Sequence, residues 1–198
     1  MLRLLLTLLF SVVVLQGCAG KAALDDPAFS DSTYALLQEV RRDFTINGEP
    51  VHPFVFRDFG GLLSDRYPII MSIDILAGND SNYYFNEVEK DQYSYFSRDD
   101  DGEVYEYTYY GSLDNGLLVA VSRTGGAGSG VFTTLHLIDL FAERGYDYDG
   151  ETYERIILKS VGQIVLGDRW YGEISLDGNT VVFTTASGEK KVLNAGRL

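Results

Sequence analysis

Cysteine and histidine are scarce in this chain, and their scarcity excludes several classes of protein. The single cysteine, Cys18, cannot form a disulfide within the chain, and there is no CxxC pair for a structural zinc site. The two histidines, His52 and His136, lie far apart, and neither belongs to the HExxH pattern of zinc proteases. The Gly-x-Ser-x-Gly pattern of serine hydrolases is also absent. The sequence therefore predicts none of these scaffolds or sites.

Basic residues are few relative to acidic ones. The chain has 16 lysines and arginines against 29 aspartates and glutamates, a formal net charge of -13 at pH 7. A surface that binds nucleic acid needs positive side chains to neutralise phosphates, so this balance argues against a nucleic-acid partner. The same negative field would attract a basic protein, although a high net charge also serves solubility alone.

A long apolar run occurs at the N-terminus. Arg3 supplies one positive charge, residues 4–15 are apolar except for one threonine and one serine, and Lys21 restores charge. This is the layout of a secretory signal peptide. The uncharged stretch, residues 4–20, ends in glutamine and small residues and is short for crossing a hydrocarbon core of about 30 Å. A permanent transmembrane helix is therefore the weaker interpretation.

The tetrad Leu15-Gln16-Gly17-Cys18 resembles the lipobox of bacterial lipoproteins, which combines an apolar residue, a small residue and an obligatory cysteine. The resemblance covers residues 1 to about 20 and implies a signal peptide over 1–17. It also implies that Cys18 is diacylated through sulfur and acylated at its new amino terminus. The mature protein would be anchored to a bilayer without spanning it.

The residue after the cysteine, Ala19, bears on where such an anchor would be. By the same resemblance, alanine rather than aspartate implies transfer to the outer membrane, facing the periplasm, with the cell surface and the inner membrane as alternatives. An ordinary cleaved signal peptide with an unmodified Cys18 and an uncleaved anchor are the other interpretations.

The rest of the chain predicts a tether over residues 18–30 and a single β-rich domain over 31–198. A helix is predicted over 33–42, and Pro53 can open a second short helix. From Pro68 onward, short alternating apolar segments separated by glycine-acid turns predict antiparallel strands. The predicted fold is mainly β, an antiparallel sheet in the form of a sandwich or partly closed barrel, with one or two short N-terminal helices.

Tyrosine is abundant, with 14 residues, and several fall in the segment DQYSYFSRDDDGEVYEYTYY. If residues 100–102 form a three-residue hairpin loop with Gly102 in the left-handed conformation, Tyr93 lies opposite Tyr109 and Tyr95 lies opposite Tyr107. The tyrosines of the segment then align on one face. The aligned residues are Tyr93, Tyr95, Tyr105, Tyr107 and Tyr109. Because the opposite face is mostly polar, the tyrosine face is predicted to be a core layer or, alternatively, an aromatic platform for a glycan, peptide or protein.

Asp74 and His136 are the two candidates for acid–base chemistry. Asp74 is flanked by isoleucines, and burial would raise the pKa of its carboxyl; an arginine partner on an adjacent strand is the alternative. His136 lies in an apolar strand, as a hydrogen-bonded core residue or as a general base. No second carboxylate can be placed beside Asp74, so a glycosidase pair is not predicted.

Three further segments favour structure over chemistry, with weak calcium binding as the alternative for the acidic turns and a ligand-contacting loop as the alternative for the glycine-rich segment. The acidic turns SRDDDGE and GYDYDGE fail the calcium-loop template, because its twelfth residue would be Thr108 or Ile156 and not glutamate. The glycine-rich segment, residues 125–130, precedes a strand pattern and lacks the lysine of a P-loop. Trp170 and Tyr171 are a smaller aromatic candidate, with the edge of the core as the alternative. We predict no metal and no cofactor.

These features together predict a lipid-anchored envelope protein that binds or assembles with a partner and is not an enzyme. Its partner besides the membrane would be a basic envelope protein or a glycan. The alternative is a hydrolase of cell-wall or surface glycans that uses Asp74 or His136.

Overall fold

The computed structural model of the protein describes residues 29–59, 72–76, 84, 86–125 and 130–197. The signal segment, Cys18 and most of the predicted tether lie outside the described residues. The helices are α1 Asp31–Asp43 and α2 Phe54–Phe59. The strands are β1 Thr45–Ile46, β2 Glu49–Pro50, β3 Ser72–Asp74, β4 Glu89–Lys90, β5 Tyr95–Arg98, β6 Val104–Ser112, β7 Leu118–Gly125, β8 Val131–Tyr146, β9 Thr152–Asp168, β10 Ile174–Asp177, β11 Thr180–Thr184 and β12 Lys190–Asn194. A 3-10 turn, Ala195–Arg197, follows. The predicted mainly β fold with short N-terminal helices is confirmed.

The largest unit is a seven-stranded antiparallel sheet that curls into a half-barrel. Its strand order is β3-β9-β8-β7-β6-β5-β4, so each strand from β4 to β9 pairs with the next one along the chain. The two long strands, β8 and β9, have irregular pairing between Thr133 and Thr134 and between Leu137 and Ile138. Such bulges increase the local twist of a strand pair, which accounts for the curl.

Four hairpin turns share one backbone conformation, which explains why so many glycines follow acidic or polar residues. In each turn the first and fifth residues pair through backbone hydrogen bonds, and the fourth is a glycine with a positive φ between 81° and 88°. A left-handed residue at this position is what a three-residue hairpin loop requires. The turns span residues 99–103, 113–117, 147–151 and 185–189.

The half-barrel is covered on both faces, which makes three layers. Helices α1 and α2 lie on one face, called here the helix face, over a core that includes Tyr107, Ala120 and Ile138. The second sheet, β10-β11-β12, packs on the opposite face, called here the small-sheet face, against Val121 and Leu135. No helix among the described residues is long and apolar enough to cross a bilayer.

Helix α1 begins two residues before the predicted helix start. Ser30 is its N-cap and accepts a hydrogen bond from the N–H of Thr33, while Phe44 ends it in the left-handed conformation. Leu37 and Val40, three residues apart on one side of the helix, face the core. The start is displaced because Ser30 is also bound by Glu154 of β9, a contact that local sequence does not contain.

Helix α2 begins directly after Pro53, as predicted, and is almost entirely buried. Its first N–H, on Phe54, donates to Nδ1 of His52 at 3.2 Å, so the histidine acts as the cap. Its side chains Phe56 and Phe59 lie over the helix face of the sheet. The helix therefore covers the middle of the core on the helix face.

Candidate functional site

The predicted tyrosine hairpin forms with the predicted register. Tyr95 pairs with Tyr107, and Gly102 has a φ of 81° in a three-residue loop. Strand β5 begins at Tyr95, so Tyr93 stands in the preceding turn and does not pair with Tyr109 as expected. The predicted pairing is confirmed for Tyr95 with Tyr107 and is wrong for Tyr93 with Tyr109.

The five tyrosines do not form an exposed aromatic platform. Tyr105 and Tyr107 are buried, at 4% and 0% exposure, and Tyr95 and Tyr109 are half-buried. The ring of Tyr107 lies 5.4 Å from that of Phe44 and 5.0 Å from that of Phe56, between centroids. The helices cover this face, so the core alternative is correct for these four residues. Tyr93 alone is exposed, at 75%.

His136 is a core histidine in this structure. It is 1% exposed, and a hydrogen bond of 2.7 Å joins its Nε2 to Oγ of Ser122. Phe56 packs over its ring at 5.0 Å, and burial lowers the pKa of the imidazole to about 3. Its Nδ1 has no hydrogen-bond partner among the described residues. A general base would need access to substrate and an orienting partner at that nitrogen.

Asp74 has a local structural contact. It lies at the end of β3, is half-buried, and its carboxylate accepts the N–H of Leu76 at 3.1 Å. Its neighbours Ile73 and Ile75 are buried, as the strand alternation predicted. A carboxylate that accepts a nearby backbone N–H stabilises a turn, so the observed contact is structural.

A buried polar cluster around α2 was not predicted from the sequence. Asp58 accepts hydrogen bonds from Tyr84 Oη and from Arg57 Nε, the latter at 2.9 Å. His52 stacks on Tyr84 at 5.1 Å and donates from Nε2 to the carbonyl of Asn86. Burial lowers the pKa of His52, and burial with the Asp58 carboxylate raises the pKa of Tyr84. The cluster connects α2 to Tyr84 and Asn86.

Trp170 and Tyr171 separate into core and surface. Trp170 is 2% exposed, and its indole Nε1 donates to the carbonyl of Thr184, so it belongs to the core between the sheets. Tyr171 is exposed. The core-edge alternative is therefore correct for the tryptophan.

The turn between β8 and β9 is the most exposed aromatic and acidic feature of the described chain. This β8–β9 tip, residues 146–153, carries the exposed rings of Tyr146 and Tyr148. Asp147 structures the turn, because its Oδ1 accepts the N–H groups of Asp149 and Glu151 at 3.0 and 2.8 Å. The tip is therefore a rigid hairpin end that presents tyrosines among carboxylates.

A second surface feature lies on the small-sheet face, beside the one exposed tyrosine of the predicted platform. A groove of about 580 Å³ is lined by Tyr93, Glu106, Tyr110 and Arg123. Tyr110 lies on this face together with Glu106 and Thr108, as strand alternation requires, and a bulge between Tyr109 and Gly111 shifts the register of β6 after it. The Tyr-Tyr-Gly sequence was the signal that could have indicated the bulge.

Comparisons with protein-family models, curated proteins and solved structures found no match. Within the described ranges, no group of three or more histidine, cysteine, aspartate or glutamate side chains is arranged to hold a metal ion. The candidate functional features of the described chain are therefore the β8–β9 tip and the groove beside Tyr93.

Proposed function

We propose that this protein is a lipid-anchored binding module of the bacterial envelope that captures a basic protein and catalyses no reaction. The observation that carries the proposal is the β8–β9 tip, where exposed tyrosines stand on a turn that also holds three carboxylates. The net charge of -13 supports it, because such a field steers a cationic protein toward the surface.

The composition of the tip suits a cationic partner. Tyrosine offers a large rigid surface at low entropic cost, and its ring attracts the charged ends of lysine and arginine. Asp149 and Glu151 stand on either side of Gly150, close to Tyr148 along the chain. Because Asp147 already fixes the turn, little conformational freedom is lost on binding.

The tip lies at the end of the molecule where the predicted tether meets the domain. Ser30 donates to the carboxylate of Glu154 at 2.6 Å, and the guanidinium of Arg144 lies 5.9 Å from the ring of Phe29. Residues 18–28 would link a lipid on Cys18 to this end, with a maximal reach of about 40 Å. A partner captured at the tip would therefore be held close to the membrane.

The proposal is tested by measuring binding of the protein to hen lysozyme, a basic protein, at increasing salt. We expect binding at low ionic strength that weakens steeply as salt rises, since exposed charges are screened beyond a Debye length of about 8 Å. Tyr148→Ser and Asp149→Asn should each weaken binding. Absent or salt-insensitive binding would contradict the proposal.

The chain supplies a matched control for the charge change. The turn over residues 99–103 has the same hydrogen bonds, and Asp101 occupies the position that Asp149 occupies in the tip. Asp101→Asn removes the same charge from the same geometry. If Asp101→Asn weakens lysozyme binding as much as Asp149→Asn, the tip is not the capture site.

A further inference from the structure

Two neighbouring grooves run along the small-sheet face and meet at one aromatic ring. The first, beside Tyr93, has a volume of about 580 Å³, and the second, beside β10, has about 430 Å³. Tyr110 lines both. Each volume falls in the range of pockets for small organic ligands. Because Tyr110 lines both, the two grooves are adjacent, and the pair is called here the cleft.

The wall of the first groove is an ordered turn. The N–H of Asp91 donates to the carbonyl of Ser94 at 2.9 Å, and the N–H of Gln92 donates to the carboxylate of Asp91 at 2.7 Å. The side chain of Gln92 then donates to Oη of Tyr93 at 2.8 Å. The exposed ring of Tyr93 is thereby held in place beside the groove.

The floor of the first groove is an ion pair. Arg123 of β7 donates to Glu106 of β6 at 2.9 Å, directly across the strand pair. Both side chains are about one quarter exposed, at 24% and 29%. An arginine has five N–H donors and a carboxylate about four acceptor positions, so the pair leaves donors and acceptors for a ligand.

The cleft is nearly balanced in charge, although the chain as a whole is strongly acidic. Glu106 is compensated by Arg123 in the first groove, and Glu173 and Lys190 both line the second. A cationic ligand would meet Arg123, and an anionic ligand would meet Glu106 and Asp91. The chemistry therefore favours a ligand that is neutral, elongated and able both to donate and to accept hydrogen bonds.

We propose that this cleft binds a neutral oligosaccharide. A pyranose ring has an apolar C–H face that can lie on tyrosine, and hydroxyl groups that can both donate to a carboxylate and accept from a guanidinium. Tyr93 and Tyr110 supply the flat surfaces, and Glu106 with Arg123 supplies the polar contacts. This site lies apart in sequence from the β8–β9 tip and does not depend on capture of a basic protein there.

The test is a saturation-transfer NMR titration of the full-length protein with three neutral probes, tri-N-acetylchitotriose, maltotriose and cellotriose. We expect at least one to bind and to weaken about tenfold in Arg123→Gln, since a hydrogen bond to a charged group contributes about 1.5 kcal/mol or more. Tyr93→Ala should also weaken saccharide binding, and it should leave the unfolding temperature unchanged because Tyr93 is exposed.

Tyr148→Ala in the β8–β9 tip is the control and should leave saccharide binding unchanged. Failure of lysozyme capture would leave this result unaffected, so the two proposals can fail separately. The inference is overturned if none of the three saccharides binds at millimolar concentration, or if Tyr93→Ala and Arg123→Gln bind as the original protein does. Binding of a hexa-alanine peptide in place of the saccharides would also overturn it, in favour of strand addition at β10, an edge strand of the second sheet within the described ranges.

Discussion

At the residue scale, His136 shows how burial decides the role of a titratable group. Its ring is enclosed by Phe56 and Phe59, and its one polar contact among the described residues is Oγ of Ser122. The folded protein therefore keeps the imidazole neutral, with its pKa lowered to about 3, whereas the unfolded chain protonates it near 6.5. Acid consequently favours the unfolded state.

We predict that the free energy of unfolding falls as pH drops below about 6.5, because His136 binds a proton in the unfolded state and stays neutral in the folded state. Well below pH 6.5, His136 lowers the free energy of unfolding by about 1.4 kcal/mol per pH unit, or by about 2 kcal/mol between pH 6.5 and 5. The loss continues until pH reaches the folded pKa of about 3. Urea unfolding followed at several pH values measures it.

His136→Gln is the variant that isolates this effect. Glutamine can keep a hydrogen bond to Ser122 but does not titrate, so its pH slope above about pH 5 should be smaller than that of the original protein. The pH dependence that remains in the variant comes from His52, because burial also lowers the pKa of that imidazole. A slope unchanged by His136→Gln would show that His136 is protonated in the folded protein.

The tyrosines show which residue-level features could be predicted. The pairing of Tyr95 with Tyr107 follows from local loop geometry, because a left-handed glycine fixes the register. The cluster of His52, Asp58 and Tyr84 could not be predicted, because Tyr84 reaches α2 from 26 positions further along the chain. Hydrogen bonds between distant segments leave no periodic pattern in the sequence.

At the element scale, α1 depends on a contact with the β8–β9 hairpin. The carboxylate of Glu154 accepts hydrogen bonds from the backbone N–H and the hydroxyl of Ser30 and from the hydroxyl of Thr33. Because it stabilises the ionised form, this contact lowers the pKa of Glu154. A strand residue therefore fixes the first turn of a helix 124 positions away.

We predict that Glu154→Ala destabilises the protein by about 1 to 2 kcal/mol, because it removes charge-assisted hydrogen bonds at a partly exposed helix cap. Hydrogen exchange should increase in the first turn of α1. Chemical unfolding and exchange measured by mass spectrometry provide the two readouts.

Glu143→Ala is the matched control on the same hairpin. Glu143 pairs with Arg155 at 2.6 Å across the β8–β9 strands, and both side chains are about one third exposed, at 40% and 34%. Such exposed pairs contribute less than about 1 kcal/mol. If the two variants are equally destabilised and α1 exchanges normally in both, Glu154 does not hold the helix.

The bulge in β6 also acts at the element scale. It inserts Tyr110 as an extra residue with no partner on β7. Tyr109 contributes to the core under the helices and Tyr110 reaches the small-sheet face, as successive strand residues do. Alternation alone assigns both tyrosines correctly, and the bulge places Gly111 on the same face as Tyr110, next to Leu176 of the second sheet. The cleft beside Tyr110 was not predicted, because its other walls come from the turn before β5 and from the second sheet, which are separate segments of the chain.

At the scale of the whole molecule, the first described residues pack on the β8–β9 hairpin. Phe29 lies beside Arg144, Ser30 donates to Glu154, and the buried apolar residues of the two described cores run from Leu37 onward. Composition and strand spacing were enough to predict a mainly β fold. The three-layer arrangement could not be predicted, because the sequence does not show which face each helix or short strand covers.

We predict that Cys18→Ser leaves the fold intact and removes the protein from the membrane. The proposed anchor is attached to this sulfur, and several acyl chains are needed for stable membrane binding. The variant should incorporate no radiolabelled palmitate and should leave the outer-membrane fraction, with far-ultraviolet circular dichroism unchanged. Leu15→Ala, within the same tetrad, serves as the comparison that retains the thiol. If Cys18→Ser still incorporates palmitate or stays with the outer membrane, the anchor is elsewhere, and capture at the β8–β9 tip need not occur beside a bilayer.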